Sequence, residues 1–287
     1  MLSMAELDIF VTGLVYLASV FVLLFVGKLV YNLLHRGFDL KHELFQNDNF
    51  ALSLAVVGYY MGLVMALGGV LSADSTGLVD ALIGIGIYGA LAIVLLNVSA
   101  FLNEKIILRK FDKNKEIITD RNAGTGAIEG GHHIANGLIV SGVMSGEGGG
   151  IWVTLAFWGL GQVALILMAE IYCALRKFDV HKEIETRDNV AVGVAFAGLL
   201  VATGNIVRLS VTGSFEGWAQ DIVQFAIYFA MGIVLLPVVR FVTDLLLVSN
   251  ANLDDEMVGQ EEPNAGAGVL EAFSYVAGSM LIGWVIF

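Results

Sequence analysis

Long apolar runs separated by short polar connections dominate the chain. Eight stretches, 8–34, 50–71, 79–102, 123–144, 150–176, 190–211, 218–247 and 265–287, carry few charges over about 20 residues or more, enough to cross a hydrocarbon core roughly 30 Å thick. They lack the strict apolar–polar alternation of barrel strands and read as helices, which satisfy their own backbone groups in lipid. The fold class is therefore all-α: a polytopic membrane protein with eight transmembrane helices.

The connections fall into two kinds. "SADSTG", "GEGGG" and "TGSFEG" are short and lack Lys and Arg, whereas the stretches from His35, Arg109, Arg176 and Ser249 are longer and charged. Of the fifteen basic residues only Arg208 lies toward the short connections. The positive-inside rule puts the long loops in the cytoplasm and both termini outside. Ser145 and Lys113 then mark the two surfaces. Trp152, Trp218 and Trp284 fall near the outer interface, with Trp158 deeper, as an aromatic belt requires.

The long loops repeat. "FDLKHELFQNDN" from Phe38 aligns without gaps to "FDKNKEIITDRN" from Phe111 and to "FDVHKEIETRDN" from Phe178; a fourth copy keeps Glu256-Met257 but needs a gap. Each copy ends in an Asn that opens the next helix, Asn49, Asn122, Asn189 and Asn264, and Asn caps a helix by accepting from its free N–H groups. The unit is a helical hairpin used four times. A longer period pairs "IYGALAIVLL" (87–96) with "IYFAMGIVLL" (227–236) and "NAGTGAIE" (122–129) with "NAGAGVLE" (264–271). Residues 1–147 and 148–287 are thus two four-helix repeats of the same orientation, related by an axis along the membrane normal.

The helix openings "DNFALSLAVVGYYMG" and "DNVAVGVAFAGLLVA", with "RNAGTGAIEGGHHIANGLIVSG", resemble the YjfL-like bacterial inner-membrane proteins, catalogued as domain of unknown function 350. The resemblance covers nearly the whole chain as two tandem copies. It implies a small helical inner-membrane module without an established activity and supplies no catalytic residues. The fourth hairpin departs most from the pattern.

Composition agrees with this reading. The chain is 57% hydrophobic and 15% charged, with mean hydropathy +0.80, against roughly 45–50% and 25% for soluble domains. The start carries Glu6 and Asp8 and no basic region, unlike a cleavable signal peptide. The lone Cys173 excludes an internal disulfide. No Walker A, dinucleotide, HExxH or GxSxG motif is present and no soluble domain is long enough for catalysis, so the expectation is a protein that is not an enzyme and uses neither cofactor nor nucleic acid.

Small residues concentrate in the even-numbered stretches: Gly58 and Gly62, Gly126 and Gly130, and Gly268 with Ala272 are small-xxx-small pairs that let backbones approach in lipid. These four helices belong inside and the others around them. Glu129 and Glu271 occupy matching positions, each seven residues past its N-cap Asn, roughly 10 Å along the helix at 1.5 Å per residue. A charge near mid-bilayer costs about 2.5–3.5 kcal/mol on insertion scales. Keeping it twice points to protons or cations, or to a protonated Glu fixing helix register. His132 and His133 follow Glu129 at i+3 and i+4, and Asn136 extends that face. The positions after Glu271 hold Ser274 and Tyr275. Helix 8 is thus expected to fill the space around its acid with Ala272, Phe273 and Tyr275, while helix 4 leaves room for water. Glu-x-x-His also occurs in di-iron bundles, but no other helix interior contains a His, so the ligand count for metal or haem fails. Glu170 and Arg240 lie toward the same membrane face and are expected to pair or to snorkel. The loop acids Asp39, Glu43, Asp112, Glu116, Asp179 and Glu183 recur in register, as a docking surface or as loop caps.

Three function classes remain open. The first is a proton or small-cation pathway or accessory using Glu129, His132, His133, Asn136 and Glu271. The second is a non-transporting scaffold or stress-response component that recruits a cytoplasmic partner through its loops. The third is a metal- or haem-binding redox subunit. A homo-oligomer is compatible with each.

Overall fold

The computed structural model describes residues 4–73, 75–107, 112–146, 149–247 and 252–286. Phe111, which opens the second loop copy, the adjacent bases Arg109 and Lys110, and Glu147 and Gly148 at the junction of the halves lie outside the described residues. The elements in chain order are α1 (Met4–Leu34), α2 (Leu40–Phe45), α3 (Phe50–Leu71), α4 (Leu78–Ile106), a π-helical turn (Lys115–Thr119), α5 (Ala123–Met144), α6 (Gly150–Leu175), α7 (Val180–Arg187), α8 (Val190–Val211), α9 (Trp218–Leu247), α10 (Leu253–Val258) and α11 (Ala265–Ile286). The eight long helices match the expected stretches to within a few residues. Among the described residues seven of them are long and apolar enough to cross a membrane. The eighth, α5, has a span's 22 residues but holds Glu129, His132, His133 and Asn136. It tolerates them because it is enclosed, packed between α3 and α8.

The architecture is a row. The helices α3, α5, α8 and α11 lie side by side in that order and all run in the same direction, since early residues meet early residues along each seam: Gly126 meets Ala51, Gly193 meets Gly124, and Gly268 meets Ala191. The outer helix of each hairpin sits in the groove between its own inner helix and the previous one. Thus α4 packs on α3 and α5, α6 on α5 and α8, and α9 on α8 and α11, while α1 lies against α3 and α4. The helices α3, α5, α8 and α11, formed by the even-numbered stretches, are inside as expected, but they form an open row with α3 and α11 at its ends rather than a closed ring.

Side-chain size explains both the seams and the ends. Each inner helix turns one small-residue flank backward along the row: Gly126, Gly130 and Gly137 on α5, Gly193, Ala197 and Gly204 on α8, and Gly268, Ala272 and Ser279 on α11. Without Cβ branches the backbones touch, and van der Waals packing replaces the hydrophobic drive that lipid removes. The same register on α3 holds Ser53, Val57 and Val64, and Val57 is 65% exposed. At the other end α11 presents Phe273 and Trp284, 53% and 77% exposed. Bulky residues therefore terminate the array, as capping units do in repeat proteins.

The loops repeat an interlocking turn. Asn49, Asn122 and Asn189 accept from the backbone N–H of Leu52, Thr125 and Val192 at 2.9–3.1 Å. Each also donates through its side-chain amide to a carbonyl in the next loop: Ile117 at 2.9 Å, Ile184 at 2.7 Å and Met257 at 2.9 Å. The last cap, Asn264, donates to Glu256 of its own loop. The residue before each of the first three caps, Asp48, Arg121 or Asp188, has φ near +50°. Pro263 stands there in the fourth copy, and its ring fixes φ near −65°, which accounts for the departure of that loop from the pattern. The recurring acids serve the turn: Asp39 and Asp179 cap α2 and α7, while Glu116 and Glu183 accept from Asn122 and Asn189.

Candidate functional site

Glu129 lies on α5 near the long-loop end and is only 3% exposed. One helical turn on, His133 places Nε2 3.3 Å from Glu129 Oε1. The same carboxylate oxygen accepts from Lys113 Nζ at 2.9 Å, and Glu104 Oε2 on α4 lies 3.5 Å from that ammonium. Lys113 therefore does not mark an exposed loop surface; it is 7% exposed and folded inward. Its register explains why. The first residue after each loop cap is Leu40, Lys113, Val180 or Leu253, and Val180 and Leu253 are buried core residues. Lys113 follows the same apolar path into the protein but ends in a charge. Burial works against that charge, yet the attraction and hydrogen bonds of Glu129, reinforced by Glu104, outweigh it and hold the ammonium above the ordinary lysine range.

Beyond Glu129 the two histidines separate. The His133 ring meets Tyr59 edge-on at 5.3 Å, and Tyr59 packs on Tyr31, which stacks on His35 at 4.1 Å. Burial lowers the His35 pKa, against the opposing hydrogen bond to the Tyr31 carbonyl. The ring centroid of His132 is 6.2 Å from that of His133, and its Nε2 lies 2.9 Å from Asn136 Nδ2. Asn136 in turn accepts from Gln162 of α6 at 2.7 Å. The polar groups thus run from Glu104 at the long-loop end to Gln162 near the middle of the helices.

Glu271 on α11 is fully buried and meets two guanidinium groups. Arg176, just past α6, pairs with it, and Arg240 of α9 donates to its other oxygen at 3.2 Å. Asp254 at the start of α10 pairs with Arg176, and Arg240 also faces Asp244 at 3.6 Å. The Arg176 guanidinium lies over the Tyr172 ring at 4.3 Å. Arg240 pairs with Glu271, Asp244 and Asp254, while Glu170, the other residue expected to pair or to snorkel, is exposed on α6. Of the residues expected around Glu271, Tyr275 is buried but Phe273 is 53% exposed and points outward, and the two arginines meet the carboxylate.

At the short-loop end an open cleft of about 760 Å³ lies between the halves, with Tyr88, Val143, Met144 and Phe157 in its walls and Asp80 and Asp221 among its polar lining. Ile139, Val140, Leu95 and Ala92 are buried between this cleft and the Asn136–Gln162 pair. From Val143 back to Asn136 is seven residues of α5, about 10 Å. Among the described residues no group of His, Cys, Asp and Glu could hold a metal ion.

Sequence reasoning found both glutamates and the histidine pair but missed Lys113, Glu104 and Gln162. The loop register signals Lys113, as a charge where the other copies carry an apolar residue. Gln162 is the single side-chain amide in α6.

Repeated helical hairpins, apolar spans and buried ion pairs at matching depths define an integral, multi-pass membrane protein built by internal duplication. The chain belongs to the family described as Domain of Unknown Function (DUF350), whose model matches twice in tandem, over residues 4–144 and 148–286. It is similar to the UPF0719 transmembrane protein of Aquifex aeolicus (strain VF5), with 24% identity over 271 residues, 93% of this chain and 97% of that protein. No solved structure matches the chain.

Proposed function

We propose that the protein is a proton pathway or proton-coupled accessory of the bacterial inner membrane, without enzymatic activity, and that its two halves (1–147 and 148–287) do different work. The carrying observation is the chain of titratable and hydrogen-bonding groups in the first half, Glu104–Lys113–Glu129–His133 followed by His132–Asn136–Gln162. One bridging water would close the gap between the imidazoles. In the second half the matching positions hold Ser274, Tyr275 and Gly278, and permanently charged arginines lock the acid. With the long loops in the cytoplasm, protons enter at Glu104 and Glu129, while the acid-lined cleft faces outward. The apolar layer of about 10 Å between them is where the pathway closes.

Proton flux into proteoliposomes under an imposed potential tests this reading. Flux above that of empty liposomes supports it, and flux at background with folded protein removes it. The scaffold reading draws less support, because the recurring loop acids cap helices and bind neighbouring asparagines instead of forming a free acidic surface.

A further inference from the structure

We propose that Lys113 is a tethered cation occupying the place beside Glu129 that a small free cation would otherwise take, and that it thereby restricts the site to protons. The inference rests on the pathway reading and narrows its substrate.

Four observations carry it. The ammonium sits between two carboxylates, 2.9 Å from Glu129 and 3.5 Å from Glu104, as a bound monovalent cation would. Its position in the loop is apolar in the other three copies, so folding the loop does not require a charge there. The segment that follows it is a π-helical turn, where the other copies form α-helix, and π-turns are rare and frequent at functional sites. In the second half Leu253 stands at the Lys113 position and the acid is paired through guanidinium groups. Glu271 is held by guanidinium groups from α9 and the end of α6, which stay charged at any working pH and fork onto the carboxylate. A lysine is a compact ammonium on a flexible stem and can move between acceptors.

The exchange this permits is simple. A proton reaching Glu129 forms the neutral acid and removes its attraction for the ammonium. Lys113 then moves to Glu104, which is about one-third exposed, and keeps its own three protons. Proton transfer from Glu129 to the adjacent His133 restores the carboxylate and draws Lys113 back. A sodium, potassium or ammonium ion would instead have to displace a covalently attached competitor, whose local concentration no free ion matches.

The test reads binding rather than flux. The purified full chain and three variants, K113M, K113R and the double variant K113M/E129Q, are melted in sodium, potassium, ammonium or choline chloride at one ionic strength. The wild type and K113R should melt at the same temperature in all four salts. K113M should be stabilised by at least one small cation over choline, saturably and by about 2–4 °C or more. The double variant, with neither charge left, should again be indifferent. Recovery of K113M only when a small cation is present would be the same result in stricter form. K113M melting identically in every salt would overturn the proposal. So would K113M lost in all salts while the double variant folds, because the vacated place would then admit no cation. Background flux in liposomes would remove the pathway reading without altering these melts, so the two failures are distinguishable.

Discussion

Replacing Gly204 by alanine tests the seam that joins the halves. Gly204 lies on α8 against α5, and a Cβ there would fall 2.5 Å from the Cα of Ala135 and 2.6 Å from its carbonyl oxygen. Ordinary contact begins near 3.4 Å, so the atoms must separate by roughly 0.9 Å. Both obstructing atoms are backbone, and no rotamer relieves them. The helices α5 and α8 must part, loosening the contacts along the seam. Such overpacking costs about 1–3 kcal/mol, against which alanine gains about 0.8–1.0 kcal/mol of helix propensity over glycine. Two backbone obstacles put the overpacking cost in the upper part of its range, about 2–3 kcal/mol, so the net loss is about 1–2 kcal/mol, a fall of several degrees at about 2–4 °C per kcal/mol. Gly68 is the control: a Cβ there meets nothing within 4 Å, so Gly68→Ala should keep the propensity gain and melt at or above wild type. Thermal melts in one detergent, followed by tryptophan fluorescence, compare the two. If Gly204→Ala melts like wild type, or both variants lose equally, close backbone contact is not what holds the halves together.

The interlocking turns predict unequal caps. Asn122→Ala should cost about 1 kcal/mol for the lost cap and about 1–3 kcal/mol more for the buried Ile184 carbonyl left without its donor; Asn264→Ala, with no cross-loop bond, should cost only the cap when both are measured by denaturation. Glu116 predicts a pH effect. Burial raises its pKa, only partly offset by the Asn122 amide and Lys115, so its contribution favours folding below the ordinary value of 4.5 and is lost as pH rises through the folded value. Glu116→Gln should therefore melt higher than wild type at neutral pH, with the difference vanishing in acid; a constant difference across that range would contradict the assignment. For orientation, cysteines at exposed Lys115 and Ser214 replace a buried reporter at Lys113. An impermeant thiol reagent applied to intact cells should label Ser214→Cys and spare Lys115→Cys.

Helix positions were legible because lipid-spanning runs leave little ambiguity, and the N-cap asparagines mark the starts of the four inner helices to the residue. The hairpin repeat was equally legible. Its arrangement as a row was not, because the decisive difference is relational: the flank that is Gly126, Gly130 and Gly137 on α5 becomes Ser53, Val57 and Val64 on α3, and only the neighbours reveal which flank is a seam. Glu129 and Glu271 were visible as costly charges in apolar runs. Their partners were harder to see, because Lys113, Arg176 and Arg240 reach them from a loop, a helix end and another helix. Arg240 lies 31 residues from Glu271 in sequence, and residue spacing carries no sign of that contact. Only the shared loop register, with Lys113 where Leu40, Val180 and Leu253 stand, held a usable hint.

The central claim is that the two buried glutamates differ in role, and paired flux measurements on Glu129→Gln and Glu271→Gln test it most directly. Glutamine keeps the shape of each side chain and removes the titrating group. Glu271→Gln removes one carboxylate from Arg176 and from Arg240, which keep Asp254 and Asp244 as partners, and should lower the melting temperature while folded protein in liposomes still passes protons. Glu129→Gln should abolish proton flux with the fold intact. Equal loss of flux in both variants, or full flux in Glu129→Gln, would contradict the account.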